Sequence, residues 1–164
     1  MSYNIGLISL CFCSHGTITD DSDIWVFGGK TVYKNFFEKE KYCETFSVAE
    51  ITKHFGLTRE KMILLAMLTG SDYTEGIDNV GPVTAMEILA EFSGDGMVPL
   101  EGLKTWWTEN LKETKMPGNQ ARAKLKKLHF PDSFPNGRVF QAYTEPSIDP
   151  SEERFSWGEK RNNG

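Results

Sequence analysis

Residues 58–70, TREKMILLAMLTG, contain the run MILLAML, which is apolar almost all the way round a helix. A helix without a polar face has to be buried, so this segment predicts a central helix around which the rest of the chain is arranged. Thr58 suits its N-cap and Gly70 its C-terminal glycine. Of the 164 residues, 39% are hydrophobic and 12% aromatic. That is enough apolar surface for the core of one domain, or of a piece of one, and it is unlike a disordered chain.

Other elements have local signatures. GTIT (16–19) reads as the end of a strand with aspartates at its carboxyl tip. KTVYKNFF (30–37) and YCETFSV (42–48) are rich in β-branched and aromatic residues, and the polar EKEK (38–41) between them suggests a hairpin. In SVAEITKHFG, Ser47 and Glu50 stand at capping-box spacing and Gly56 closes a short helix. GPVTAMEILAEF (81–92) has Pro82 in a first-turn position and Ala85, Ile88, Leu89 and Phe92 on one face. PLEGLKTWWTENLK (99–112) and NQARAKLKKLHF (119–130) read as two more helices. From Pro131 onward the chain is rich in Pro, Ser, Asn and charge and reads as an irregular tail.

Several classes are disfavoured. The net charge is −5, so any nucleic-acid contact has to be local. Cys11, Cys13 and Cys43 form neither a CxxC pair nor an even set, which argues against a disulfide scaffold or a zinc site. His15, His54 and His129 are scattered and none pairs at ligand spacing. No run reaches the roughly 18 to 20 apolar residues needed to span a bilayer. The opening MSYNIGLISLCFCS has no Lys or Arg before its apolar run and no clear small-residue cleavage site. That makes a poor signal peptide; a buried strand is the plain alternative.

Two places combine carboxylates with loop geometry. TDDSDIWVFG (19–28) sets Asp20, Asp21 and Asp23 within four positions. Like charges this close repel one another, and hard oxygen ligands at this density suit magnesium or manganese. Asp72, in GSDY, follows the central helix, whose packing would fix its position. Each has a plainer reading. An Asp-rich turn is commonly a solvated cap, and a lone Asp after glycine a turn residue. An EF-hand is excluded: with Asp21 as first ligand, Trp25 fills the fifth position, Val26 the glycine position and Val32 the glutamate position. Downstream, GIDNVGP (76–82) holds Gly76 and Gly81 around Ile77 and Val80, directly before a helix. Glycines let a backbone approach a phosphate, and a helix N-terminus offers it free N–H groups. Many such turns merely reverse the chain.

TITDDSDIWVFGGKTVYKNFF, LLAMLTGSDYTEGIDNVGPVTAMEILAEF and FSWGEK together resemble the internal nuclease region of the XPG group of structure-specific DNA endonucleases, relatives of flap endonuclease. The likeness runs from about Gly16 to about Lys160, with the last part weaker, and SDIWVFG followed by VYKNFF points to the XPG branch. The resemblance implies an α/β fold: the C-terminal part of a PIN-like nuclease domain, then a helix–two-turn–helix arm, mostly helical after residue 47. It divides the chain into a non-matching segment 1–15, a partial nuclease region 16–75, a DNA-binding region 76–130 and an irregular tail 131–164. It implies two divalent metals, magnesium or manganese, with Asp21, Asp23 and Asp72 as catalytic metal ligands and Asp20 in support. It also implies that Gly76, Ile77, Val80, Gly81, Pro82 and Val83 grip one DNA duplex, with carbonyls from Gly76 to Val80 around a potassium ion. DNA with single-strand/duplex junctions is the implied partner, nucleotide excision repair the process, and the nucleus the location.

The chain also departs from the family. No acidic residue precedes Asp20, whereas family members carry further metal carboxylates upstream. The sequence therefore reads as a truncated XPG-like product, with residues 1–15 an added or alternative N-terminus and three carboxylates too few for fast cleavage. A catalytically incomplete DNA-binding module and a non-functional piece remain open beside the nuclease reading. The basic run Arg122, Lys124, Lys126 and Lys127 reads as a solvated helix face more readily than as a phosphate contact. Of Trp106 and Trp107, one is expected in the core and one partly exposed.

Overall fold

The computed structural model describes residues 16–36, 42–110, 122 and 125–146. Strand β1 (Thr17–Ile18) runs parallel to β2 (Thr31–Lys34), and β3 (Glu44–Ser47) pairs antiparallel with β2. The register sets Thr17 beside Val32 and Val32 beside Phe46, with β2 in the middle. Helices α1 (Val48–Phe55), α2 (Arg59–Thr69), α3 (Pro82–Glu91), α4 (Val98–Asn110) and α5 (Gly137–Thr144) follow. This is an α/β arrangement that turns helical after residue 47.

The local signals act as their chemistry dictates. Ser47 Oγ accepts from Glu50 N at 3.2 Å, Thr58 Oγ1 from Lys61 N at 3.3 Å, and Gly56 closes α1 at a φ of +64. Along α2, Met62, Ile63, Leu64, Met67 and Leu68 are buried, and no residue from Met62 to Thr69 is exposed. Each side chain buried to that degree contributes roughly 1.5–3 kcal/mol. Its core partners include Val26 and Phe27, Ile77 and Val80, Ala85 and Ile88 of α3, Leu100 and Leu103 of α4, and Tyr143 of α5.

Helix α5 corrects the expectation of an irregular tail from residue 131. Asn136 caps it by accepting from Arg138 N at 3.1 Å, and it packs against α2 with Tyr143 1% exposed. Trp106 and Trp107 differ from expectation too, since both are half-buried. Trp106 lies against Phe92, and Trp107 against Phe130 at 4.6 Å between ring centroids. Arg122 donates from Nε to Glu91 at 2.8 Å and lies over the Trp106 ring, so its charge is engaged within the protein. The first 15 residues, the EKEK connection, residues 119–121, 123 and 124 and the FSWG motif lie outside the described residues, and the 119–130 segment leaves the helix after Leu125, short of its expected end at Phe130. Among the described residues no helix is long and apolar enough to cross a membrane.

Candidate metal centre and backbone-gripping turn

At the carboxyl tip of β1 the chain makes a single 3-10 turn, Ser22–Ile24, whose Ile24 is buried. Asp21 caps it: Oδ1 accepts from Asp23 N at 2.9 Å, while Asp21 N donates to Thr19 Oγ1 at 3.1 Å. The plain reading of an Asp-rich turn as a cap therefore holds for Asp21, an exposed residue whose cap bond uses Oδ1. Asp20 is tied to the end of β2. Its Oδ1 accepts from Asn35 N at 2.8 Å and its carbonyl from Lys34 Nζ at 3.2 Å.

Asp72 arrives from the other side of the sequence. Ser71 and Thr74 pair across a tight turn, with Ser71 N donating to Thr74 O at 2.8 Å, and Asp72 and Tyr73 form its corner. The charges meet at Asp23. Burial pushes its carboxyl up from the ordinary value, and the charges of Asp21 and Asp72 push it further. Tyr73 is raised first by burial and then by Asp23, Asp72 and Asp21. Among the described residues no Lys, Arg or His forms an ion pair with Asp21, Asp23 or Asp72. The donor set is thus hard, anionic and without a cation of its own, which fits a divalent ion in kind. As the side chains stand, no three His, Cys, Asp or Glu among the described residues are gathered into a group that could hold a metal ion.

Beneath the acids lie residues without a motif to mark them. Phe27, Tyr73 and Tyr143 form a ring triangle with centroids 5.4 to 6.0 Å apart. Tyr143 OH and Ser71 Oγ are hydrogen-bonded at 2.7 Å, and Arg59 Nη2 donates to Tyr143 O at 2.6 Å. Burial pushes the Tyr143 phenol up to about 12 against the lowering effect of the Ser71 hydrogen bond, with the charges of Asp23, Tyr73 and Asp72 adding to the rise. The hydroxyl stays protonated, and the bond intact, through the neutral range. The one sequence clue to Tyr143 is its spacing from Val139 and Phe140.

The GIDNVGP segment is built differently. Ile77 and Val80 are buried, so their side chains anchor the turn and only their main chain can meet a ligand. Ile77 N donates to Leu68 O at 2.9 Å and Val80 N to Ile77 O at 3.1 Å. Gly76 has a φ of +71, and a Cβ there would stand 2.7 Å from Gly70 Cα, so close packing onto Gly70 already accounts for this glycine. Gly81, the N-cap of α3, has no side-chain cap bond and open space around it. Pro82 and Val83 are exposed, Val83 to 74%. Backbone N–H groups at the start of α3 therefore face outward without a side chain to cap them.

Known proteins resemble this chain in sequence and in fold. The family model described as XPG I-region matches residues 12–72. The chain is 51% identical over 156 residues to the DNA excision repair protein ERCC-5 homolog of Xenopus laevis, covering 93% of this chain and 13% of that protein. It is similar in structure to the catalytic core of Rad2 in complex with DNA substrate, with a TM-score of 0.74 at 37% identity over 86% of this chain and 45% of that one. The Holliday junction-resolving enzyme GEN1, solved with product DNA, Mg2+ and Mn2+ ions, matches with a TM-score of 0.56 at 22% identity over 80% of this chain and 33% of that one. At that identity the likeness speaks for the fold alone. The chain thus spans a small part of the curated relative and under half of the solved Rad2 core.

Proposed function

The chain belongs to the XPG family, and from that premise we propose that its acidic tip and its two-turn segment are working parts of a metal-dependent DNA endonuclease. The fold around them is the PIN-like α/β core of that family, and residues 16–75 and 76–130 are its two functional regions. The observation that carries the proposal is that Asp21 and Asp72, from segments before and after α2 in the chain, both add to the rise of the Asp23 carboxyl that burial begins.

Asp21, Asp23 and Asp72 would hold divalent magnesium or manganese, with Asp20 in support through the oxygen that Asn35 leaves free. Bound there, such ions would supply an activated water and would offset the charge of the phosphodiester in its transition state. The chain's own contribution is to hold the carboxylates and to seat the substrate. Main-chain groups from Gly76 to Val83, with the N-terminus of α3, would take duplex phosphate, because unpaired N–H groups and the helix dipole favour anions. Carbonyls between Gly76 and Val80 are the proposed potassium ligands. The proposed substrate is DNA at single-strand/duplex junctions, the process nucleotide excision repair, and the location the nucleus.

One observation favours a second reading, a DNA-binding module that does not cut. Among the described residues no ready-made group for a metal is present, and catalysis depends on charge held in place beforehand. The test is an incision assay on bubble and flap DNA with magnesium or manganese, comparing the chain with Asp72→Ala. Metal-dependent incision that Asp72→Ala removes supports the nuclease reading even at low rate. Salt-dependent duplex binding with no incision supports the second. A broad, non-cooperative melt removes both, since neither function survives without the packed core.

A further inference from the structure

We propose that Tyr143 is a positioning residue for the acidic cluster, its hydroxyl latching helix α5 to the turn that carries Asp72 through the 2.7 Å hydrogen bond to Ser71 Oγ. The inference rests on the reading of Asp21, Asp23 and Asp72 as holders of a divalent cation.

The two acidic segments have no covalent neighbourhood in common, and one helix end is bonded to one directly and to the other through Arg59. Tyr143 reaches Ser71, the residue next to Asp72. Its carbonyl accepts from Arg59 Nη2 at 2.6 Å, and Arg59 Nε donates to Val26 O at 3.0 Å, in the chain that continues from Asp23. Arg59 opens α2, and Gly70 directly after α2 opens the Asp72 turn, so both ends of the central helix enter the arrangement. The rings of Phe27 and Tyr73 close on Tyr143 at 5.4 and 5.6 Å. Ser71 Oγ also accepts from Tyr73 N at 3.3 Å, so the hydroxyl that Tyr143 engages already shapes the turn.

A tyrosine serving only as core filler does not need its hydroxyl. Phenylalanine keeps the ring packing and removes the latch, which separates the two roles. Groups hydrogen-bonded to metal ligands typically alter affinity by about 10- to 100-fold when changed. The latch acts one residue away from Asp72, so the low end applies.

The experiment uses the purified chain at neutral pH, with Mn2+ alone as probe read by electron paramagnetic resonance, and amide exchange at Ser71 and Thr74, which bond across the turn. In Tyr143→Phe, Mn2+ affinity should fall about tenfold and both amides should exchange faster. Ser71→Ala removes the same bond from its other end together with the one from Tyr73 N, should give at least as large a fall in affinity, and serves alone if the Tyr143 variant does not fold. The double variant should be no worse than Ser71→Ala alone, because Tyr143→Phe deletes only a bond that Ser71→Ala has already removed. Gln141→Ala, exposed on the same helix, should change neither readout. Unchanged Mn2+ affinity in Tyr143→Phe, where the wild-type chain binds Mn2+, overturns the proposal, as do fully additive single effects. A wild-type chain that binds no Mn2+, with exchange still quickened in Tyr143→Phe, keeps the latch and overturns the metal reading instead.

Discussion

The two-turn segment and the acidic cluster lie on either side of the Asp72 turn, yet they are held in opposite ways. The two-turn segment is local. Ile77 bonds back to Leu68, Val80 bonds to Ile77, and Gly76 packs on Gly70, all within one short stretch of chain. The acidic cluster is assembled from a distance: Asp21 and Asp23 come from the tip of β1, Asp72 from beyond α2, and Tyr143 braces it from α5. A locally built site keeps its shape as long as its own turn forms. An assembled site depends on every element that converges on it, so a change in a remote helix reaches it. The two regions should therefore fail differently when perturbed.

The largest effect tests whether the local region is as tightly built as its contacts imply. In Gly76→Ala, the new Cβ would meet Gly70 N, Gly70 Cα and the Thr69 carbonyl carbon, at a φ of +71. Left-handed strain of about 1–2 kcal/mol adds to an overlap with main chain that has nowhere to move, for a loss of about 3 kcal/mol or more in urea unfolding. Gly56→Ala is the control, with a φ of +64 but open space, and should lose only about 1 kcal/mol. Equal losses at the two positions would mean that the Gly70–Gly76 approach is not what constrains the turn.

Gly81 sharpens the comparison from the functional side. Nothing lies within 4 Å of its added Cβ, so Gly81→Leu makes no overlap and should cost only about 1 kcal/mol, from the exchange of a good N-cap residue for a poor one. Leucine there would nonetheless cover the open N-terminus of α3. Duplex affinity, followed by fluorescence anisotropy at two salt concentrations, should fall about tenfold on every duplex sequence alike, because main-chain contacts to phosphate carry no base information. Unchanged affinity would remove this segment from the DNA interface.

Legibility in the sequence follows the same division. Helices α1, α2 and α3 are readable because their signals act over two or three residues: Ser47 and Thr58 bond amides in their own first turns, and Pro82 follows its cap directly. The hairpin and the strand end before the aspartates are local as well. Helix α5 is not readable, since it is short, sits between Pro135 and Pro146, and owes its place to Tyr143 packing on α2. Its partner lies on a remote element, which no window along the chain contains. Gly76 carries a related ambiguity. A glycine needed for close approach looks the same in sequence whether it faces a phosphate or, as here, Gly70. Asp21 has two readings that are compatible, because a cap uses one carboxylate oxygen and leaves the other.

The smallest effect probes the assembled region through its repulsion. Asp23 titrates above the ordinary aspartate value of 3.8, first through burial and then through Asp21 and Asp72. A carboxyl raised in the folded state supports folding fully below its unfolded value, and that support is lost as pH rises through the raised folded value. Without metal, the wild-type chain therefore carries at neutral pH a penalty that is absent below about pH 3.8. Asp23→Asn cannot ionise and escapes it. In chelator, the variant should melt slightly higher than the wild type near pH 7, and the difference should shrink toward zero as the pH falls past the raised Asp23 value. Adding Mn2+ at pH 7 should reverse the order. A cation among the carboxylates turns mutual repulsion into attraction for the wild type, while the variant has lost a ligand and gains less. Calorimetric melts with and without Mn2+ at two pH values are sufficient. If Asp23→Asn is the less stable protein in chelator at pH 7, Asp23 contributes hydrogen bonding that outweighs its repulsion, and the cluster is a structural cap. If the order fails to reverse with Mn2+, the acids repel one another without serving a metal, and the assembled region loses the function that sets it apart from the local one.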